Sequence, residues 1–250
     1  MSRIIGILNY KGGTGKTTTV VNLAAGLALR GMRVLCIDLD AQNSLATYLG
    51  ISYTHSLTHL LLGQAAPHDC IVRARDNLDI IPSDMELLRA EGKLWRMDDD
   101  QAARETLVEK MRGLNGYDYI ILDYSPSVSL VNESGLFYTR ELIMPVAMNY
   151  LALIGIRHVV RSLKTVGRVP GHQIQLSHVV PTFYYGRLRK DRQIMESLER
   201  HFPGKVTEPI RASVRLAEAP GHQMSIFEYA PRSSGAVDYA RLVERVAEDG

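Results

Sequence analysis

This sequence predicts a doubly wound α/β fold, with a mostly parallel sheet and helices on both faces, on three observations. A β-branched apolar run at 3–8 leads straight into a glycine-rich loop, then a stretch with helical apolar spacing, then a second apolar run at 33–40. Strand, glycine loop, helix and strand in that order make a βαβ unit, whose two strands must run parallel. Further apolar runs follow along the chain, with no internal repeat, low-complexity linker or composition break between them. A single domain over 1–250 is therefore expected.

The elements follow in order. "RIIGIL" (3–8) reads as a buried strand by its β-branched content. The spacing over 17–31 predicts a helix that closes at Gly31, a residue suited to the C′ position. "RVLCIDLD" (33–40) is a strand ending in two aspartates. Short helices and loops are expected over 44–75, and a strand over 78–83. Residues 98–114 form an amphipathic helix whose acidic start complements the helix dipole. "YDYIILDYSPS" (117–127) is an apolar strand that reaches Asp123, and strands are also expected over 140–148 and 173–184. Helices over 153–167, 188–202 and 235–249 complete the pattern.

Composition narrows the classes. The chain has 250 residues, 46% apolar and 22% charged, an ordinary globular balance. Its two cysteines, Cys36 and Cys70, form no Cys-x-x-Cys, so neither a zinc knuckle nor a disulfide framework is supported and the cytoplasm is the default compartment. No run approaches the ~18 apolar residues of a membrane span. The N-terminal run is too short for a signal segment. Net charge is +2, but 157–250 holds 15 basic and 10 acidic residues. That bias is compatible with weak polyanion binding, but on charge alone a solvated surface is the favoured reading.

The loop "NYKGGTGKTTT" (9–19) carries the chemistry. Gly15, Lys16 and Thr17 fill the end of the G-x-x-x-x-G-K-[ST] pattern, but Tyr10 stands where its first glycine belongs, and Lys11 follows. Gly12, Gly13 and Gly15 let backbone N–H groups approach phosphate oxygens, and the next helix aims its N-terminus at the same anion. Lys16 would reach the β/γ-phosphates, the Thr17 hydroxyl would sit on Mg²⁺, and Thr18 offers another hydroxyl and N–H. Asp38, Asp40 and Asp123 lie at strand ends, where ligands gather in such sheets, and are candidates for the metal region. Each taken alone also suits a helix N-cap or a turn.

"KGGTGKTT", "DLDAQNS", "YDYIILDYSPS" and the segment containing "VRLAEAP" together resemble the ParA family of partition ATPases, within the deviant Walker A group that includes MinD and the nitrogenase iron protein. The resemblance runs in order over nearly the whole chain and looks like a small ParA without an N-terminal helix-turn-helix extension. It implies ATP and Mg²⁺ as ligands, with Thr14 among the phosphate-loop residues. Lys11 would reach the partner's ATP in a nucleotide-sandwich homodimer, with Asn9 and Gly12 at the same interface. Lys16 would serve its own subunit. Asp40 would position the attacking water, and Asp38 and Asp123 would stand near Mg²⁺. "PTFYYGR" and "EPIR" would enclose the adenine through Pro181, Phe183, Pro209 and Arg211. Arg187, Arg189, Arg211 and Arg215 would bind nucleoid DNA without sequence preference, although "RLRKDR" alone reads as a solvated helix face. A ParB-like or adaptor protein would stimulate hydrolysis, and the cargo would be a plasmid, a chromosome or a large protein assembly.

Three positions depart from the family pattern: Ala41, Ser125 and Asn149 stand where proline, proline and glutamate are usual. A MinD-like membrane-cycling ATPase is the rival reading, weakened by the acidic end of "RLVERVAEDG". A nucleotide-switched scaffold with negligible turnover is a third. A metal hydrolase built on His55 and His59 lacks the glutamate of H-E-x-x-H, since Ser56 stands there.

Overall fold

The structure is a computed structural model that describes residues 2–149 and 152–249. Seven strands form one sheet: β1 (Arg3–Ile7), β2 (Val34–Asp38), β3 (Val72–Arg75), β4 (Leu78–Ile81), β5 (Tyr119–Asp123), β6 (Glu141–Ala147) and β7 (Gln175–Thr182). Their order is β3-β4-β2-β5-β1-β6-β7. Every pairing is parallel except the edge hairpin β3–β4. The doubly wound prediction holds.

Alternation along the strands builds two cores. Leu35, Ile37, Ile120 and Leu122 face one side of the sheet. There they meet α3 (Leu57–Leu62), α5 (Leu87–Leu94), α6 (Asp100–Lys110), α7 (Leu130–Tyr138), α8 (Ala152–Val166) and α9 (Arg189–His201). Val34, Cys36, Tyr119 and Ile121 face the other side, with Ile5 and Ile7. They pack on α1 (Lys16–Leu29), α2 (Ser44–Leu49), α11 (Ile226–Tyr229) and α12 (Ser234–Glu248). Short helices α4 (Pro67–Cys70) and α10 (Val214–Glu218) complete the set. With both faces covered, the central strands read as continuous apolar runs rather than alternating ones.

Register sets the site. Asp123 lies level with Ile7 on β1 and with Asp38 on β2, so three adjacent strands end together. The chain leaves β1 into the glycine loop at this edge.

Several expectations need correction. Within 44–75, β3 is a strand: Asn77 adopts φ 59°, which closes a tight hairpin onto β4. Helices α5 and α7 went unanticipated. They are linked by Glu91, whose carboxylate accepts the N–H groups of Leu130 (2.7 Å) and Val131 (2.9 Å) at the start of α7. An anion there satisfies orphan donors and meets the positive end of the helix dipole. Glu91→Ala should therefore cost about 1–3 kcal/mol of stability, and Glu91→Gln less, read from urea midpoints. An unchanged midpoint in Glu91→Ala would remove this link.

Candidate nucleotide site

The glycine loop is held by bonds to distant segments. Asn9 is fully buried: its Nδ2 donates to the Pro145 carbonyl (2.8 Å) and its Oδ1 accepts the Lys11 N–H (3.0 Å). Thr182, at the end of β7, donates its hydroxyl to the Thr14 carbonyl (2.9 Å). Gly13 and Gly15 have φ of 69° and 85°, which a side chain tolerates poorly. Gly12 is different: a Cβ there would meet nothing within 4 Å. The chain itself does not require glycine at that point; a close approach from outside the chain would.

Gly15 stands at the N-cap of α1 with no side-chain cap, and no acidic residue lies in the first turn. The first N–H groups of this 14-residue helix are open to an anion. Lys16 is 8% exposed, and burial lowers its pKa, opposed by the charges of Asp123 and Asp40. An ammonium so desolvated favours an anionic ligand beside it.

The three aspartates separate by environment. Asp38 is fully buried, and its two oxygens accept the N–H groups of Asp40 (3.0 Å) and Leu45 (2.9 Å). It clamps the loop that carries Asp40, which alters the expectation of an open metal ligand. Asp40 is partly exposed; its Oδ1 accepts the Gln42 N–H (3.0 Å), and its carbonyl accepts the Ser83 hydroxyl. Asp123 is buried, yet neither of its carboxylate oxygens has a hydrogen-bond partner. Its pKa stands raised to about 7, chiefly by burial, which outweighs the downward pull of the Thr17 hydroxyl and the Lys16 ammonium. Burial likewise raises Asp38, helped by the charge of Asp123.

A magnesium ion suits this donor set. Among the described residues no three of His, Cys, Asp or Glu cluster closely enough to hold a metal alone. Mg²⁺ commonly takes one or two protein oxygens and completes its shell with water and phosphate. The orphaned carboxylate of Asp123, facing the Thr17 hydroxyl, fits that pattern. His59 is occupied elsewhere: its Nδ1 accepts the Ser56 N–H (3.2 Å) at the start of α3.

Lys11 does not extend away from its own subunit here. Its Nζ donates to Asn149 Oδ1 (2.5 Å). Asn149 closes the described part of its segment; Tyr150 and Leu151 lie outside the described residues. The burial of Asn9 also corrects its expected place facing a partner, since its amide is committed to Pro145 and Lys11.

The segments expected around a base divide. Phe183 is 48% exposed, has φ 56°, and lies 3.8 Å from the point where a Cβ on Gly15 would stand. Left-handed backbone in a bulky residue costs about 1–3 kcal/mol. It is held in place by the Tyr184 N–H on Ile210 O and the Ala212 N–H on Tyr184 O. Pro181, by contrast, is buried within β7 opposite Val146, and Pro209 is half-buried. Arg211 binds Asp238 through Nε (3.0 Å) and Nη2 (2.7 Å), tying its segment to α12. Arg215 pairs with Glu218 (2.9 Å) in an exposed i,i+3 contact. Arg187 and Arg189 are exposed and carry no ion pair among the described residues. Sequence reasoning missed Thr182 and Glu91, since nothing local marks a partner 168 or 39 residues away.

A left-handed glycine loop on an open helix N-terminus, with lysine and hydroxyl beside an acid on the neighbouring strand, defines a P-loop nucleotide-binding protein. Residues 2–176 match the family model described as an AAA domain. The chain is 36% identical to the chromosome-partitioning ATPase Soj of Thermus thermophilus, covering 98% of this chain and 95% of that protein. It is 34% identical to the sporulation initiation inhibitor protein Soj of Bacillus subtilis over 100% of both. Cobyrinic acid a,c-diamide synthase from Mycobacterium smegmatis, solved with an ATP analogue and magnesium, superposes with a TM-score of 0.85 at 25% identity, covering 99% of this chain and 95% of that one. The chain belongs to the ParA family of partition ATPases.

The buried acids make a pH prediction. A carboxyl raised on folding binds more protons folded than unfolded, so stability falls as pH rises from about 4 to 7. The melting temperature of nucleotide- and metal-free protein should fall across that window. Asp123→Asn should flatten the fall, by removing both the raised acid and its push on Asp38. A parallel profile in the variant would contradict this account of Asp123.

Proposed function

We propose that the chain is one Mg²⁺-dependent ATPase domain that dimerises on ATP, binds DNA without sequence preference and positions a cargo in the cytoplasm, at the nucleoid. The observation that carries the reading is the orphaned carboxylate of Asp123, set beside Thr17 and Lys16 at the open N-terminus of α1.

The N–H groups of the loop and of α1, with Lys16, hold the phosphates. Thr17 and Asp123 would hold Mg²⁺, which would supply positive charge to the transferring phosphate. Asp38 fixes the loop so that Asp40 faces the γ-phosphate and orients the attacking water. Phe183 offers an exposed ring to the adenine. Phosphoryl transfer needs positioning and positive charge above all. Lys11 supplies that charge to the neighbour's nucleotide once it leaves Asn149, and the open space at Gly12 admits the neighbour's loop. Asn149 is neutral, so it holds Lys11 by a hydrogen bond without a full ion pair. A ParB-like or adaptor partner accelerates hydrolysis and splits the dimer. Of the four arginines expected on DNA, Arg187 and Arg189 carry no ion pair among the described residues and are the two left to meet phosphate.

Lys11→Ala should impair ATP-dependent dimerisation and hydrolysis more than ATP binding by the monomer, as sedimentation and isothermal titration would show. Asp40→Ala should bind ATP and stay dimeric while hydrolysis falls about 10²–10⁴-fold. Equal losses at all three levels in Lys11→Ala would refute the action in trans, and parental turnover in Asp40→Ala would refute the water-positioning role. Arg189→Glu should weaken DNA binding and flatten its dependence on salt by about one counterion, leaving the dimer intact. An unchanged salt slope would take Arg189 out of the DNA surface.

A further inference from the structure

A cavity of about 570 Å³ lies behind the glycine loop, between α6, α7 and α8. It is not the nucleotide site: Lys16, Thr17, Asp123 and Phe183 are absent from its walls, and Tyr10 alone comes from the loop. Its volume is that of an ordinary small-ligand pocket.

The lining is chemically divided. Leu136, Phe137, Val166 and Val169 supply an apolar floor continuous with the core beneath. Hydroxyls of Ser129, Ser162 and Thr165 stand among them. Two arginines and one glutamate carry the formal charge. Arg104 is neutralised within the wall by Glu133 at 2.9 Å. Arg161 is exposed and has no ion pair among the described residues. The uncompensated charge of the lining is therefore positive. An apolar floor of this size beside one free guanidinium matches an apolar group that carries a carboxylate, which a guanidinium binds through two parallel hydrogen bonds.

The pocket is joined to the phosphate loop through one residue. The Tyr10 hydroxyl shares a hydrogen bond with Ser162 of α8 (2.8 Å). On either side of Tyr10 stand Asn9, fixed to Pro145, and Lys11, fixed to Asn149. The same helix presses on the loop again at Gly155, where a Cβ would fall 2.4 Å from Asn9 Oδ1 and 3.4 Å from Lys11 Cβ. A ligand that displaces the Tyr10 ring or shifts α8 must therefore move the segment that sets Lys11.

We propose that this pocket binds an apolar carboxylate on Arg161, with its apolar part on Phe137 and Val166, and that occupancy alters ATP turnover through Tyr10 and Lys11. The carboxylate has two possible sources, a free small acid or an acidic residue next to an aromatic one in a peptide. Binding stands on the pocket alone; the coupling rests on the reading of Lys11 given above.

The test uses full-length protein and named probes. Indole-3-acetate represents the free acid, tryptophol its uncharged counterpart, and N-acetyl-Phe-Asp-amide the peptide source. Binding is read from saturable shifts of the Tyr10 and Lys11 amides in ¹H–¹⁵N spectra, and turnover from phosphate release. Indole-3-acetate or the dipeptide should shift both amides saturably, and whichever binds identifies the source. Tryptophol should bind at least about tenfold more weakly than the acid. Arg161→Glu should lose the acid by a similar factor, Arg161→Lys should keep part of it, and basal turnover should stay unchanged in both. Val166→Trp should fill the floor and abolish binding of either probe; if it fails to fold, the Arg161 pair still decides. Lys16→Ala should still bind the acid, which separates this pocket from the ATP reading. No saturable shift with either probe up to about 10 mM, or equal binding by Arg161→Glu, overturns the site. Saturable binding with unchanged turnover overturns the coupling.

Discussion

Asp123 sits at the end of β5 inside the sheet edge, buried, with both carboxylate oxygens lacking hydrogen bonds. A buried charge without partners is costly, and burial raises the Asp123 pKa accordingly, to about 7. Lys16, near enough for its charge to act on Asp123, meets the opposite difficulty: burial lowers the pKa of its ammonium. The two lessen each other's penalty without forming a direct bond. A site in that condition is incomplete in the free chain, and a bound cation and anion would relieve both groups together. The glycine loop, the open end of α1 and the clamp at Asp38 all serve to hold that geometry.

The same edge shows how rigidity and readiness are divided. Asn9 is locked to Pro145, Thr14 to Thr182 and Asp38 to the backbone of Leu45. These bonds join β1, β6, β7 and the loop after β2 into one frame. Among the described residues, the Lys11 ammonium is attached by one bond to a neutral amide. A hydrogen bond of that kind contributes about 1.5–3 kcal/mol, small enough for a phosphate to replace. The loop thus keeps its backbone fixed while leaving one cation exchangeable. Phe183 adds local strain beside Gly15, sustained by strand-like bonds from Tyr184 to Ile210 and Ala212.

Much of this was legible in advance because it is local. The βαβ order, the glycines at 13 and 15, the lysine and hydroxyl opening α1 and the acids ending β2 and β5 follow from neighbours in the chain. What differs from expectation depends on which partners reach each side chain once the chain has folded. Asn9 was expected to face outward but is fully buried. Asp38 was grouped with Asp123, yet its oxygens are taken by backbone donors and those of Asp123 are not. Arg211 is expected among the arginines on DNA, and Asp238 holds it from α12.

The sequence by itself determined the fold class, the phosphate loop and the family, because spacing along a strand or helix dictates which side chains share a face and which N–H groups end a helix. Only the tertiary structure decided which polar groups remain unsatisfied. That property depends on whether a partner arrives from elsewhere in the chain, as Thr182 does for Thr14 and Glu91 for α7. It also placed Tyr10 between the loop and a pocket, since the helices that line that pocket meet only once the sheet has formed.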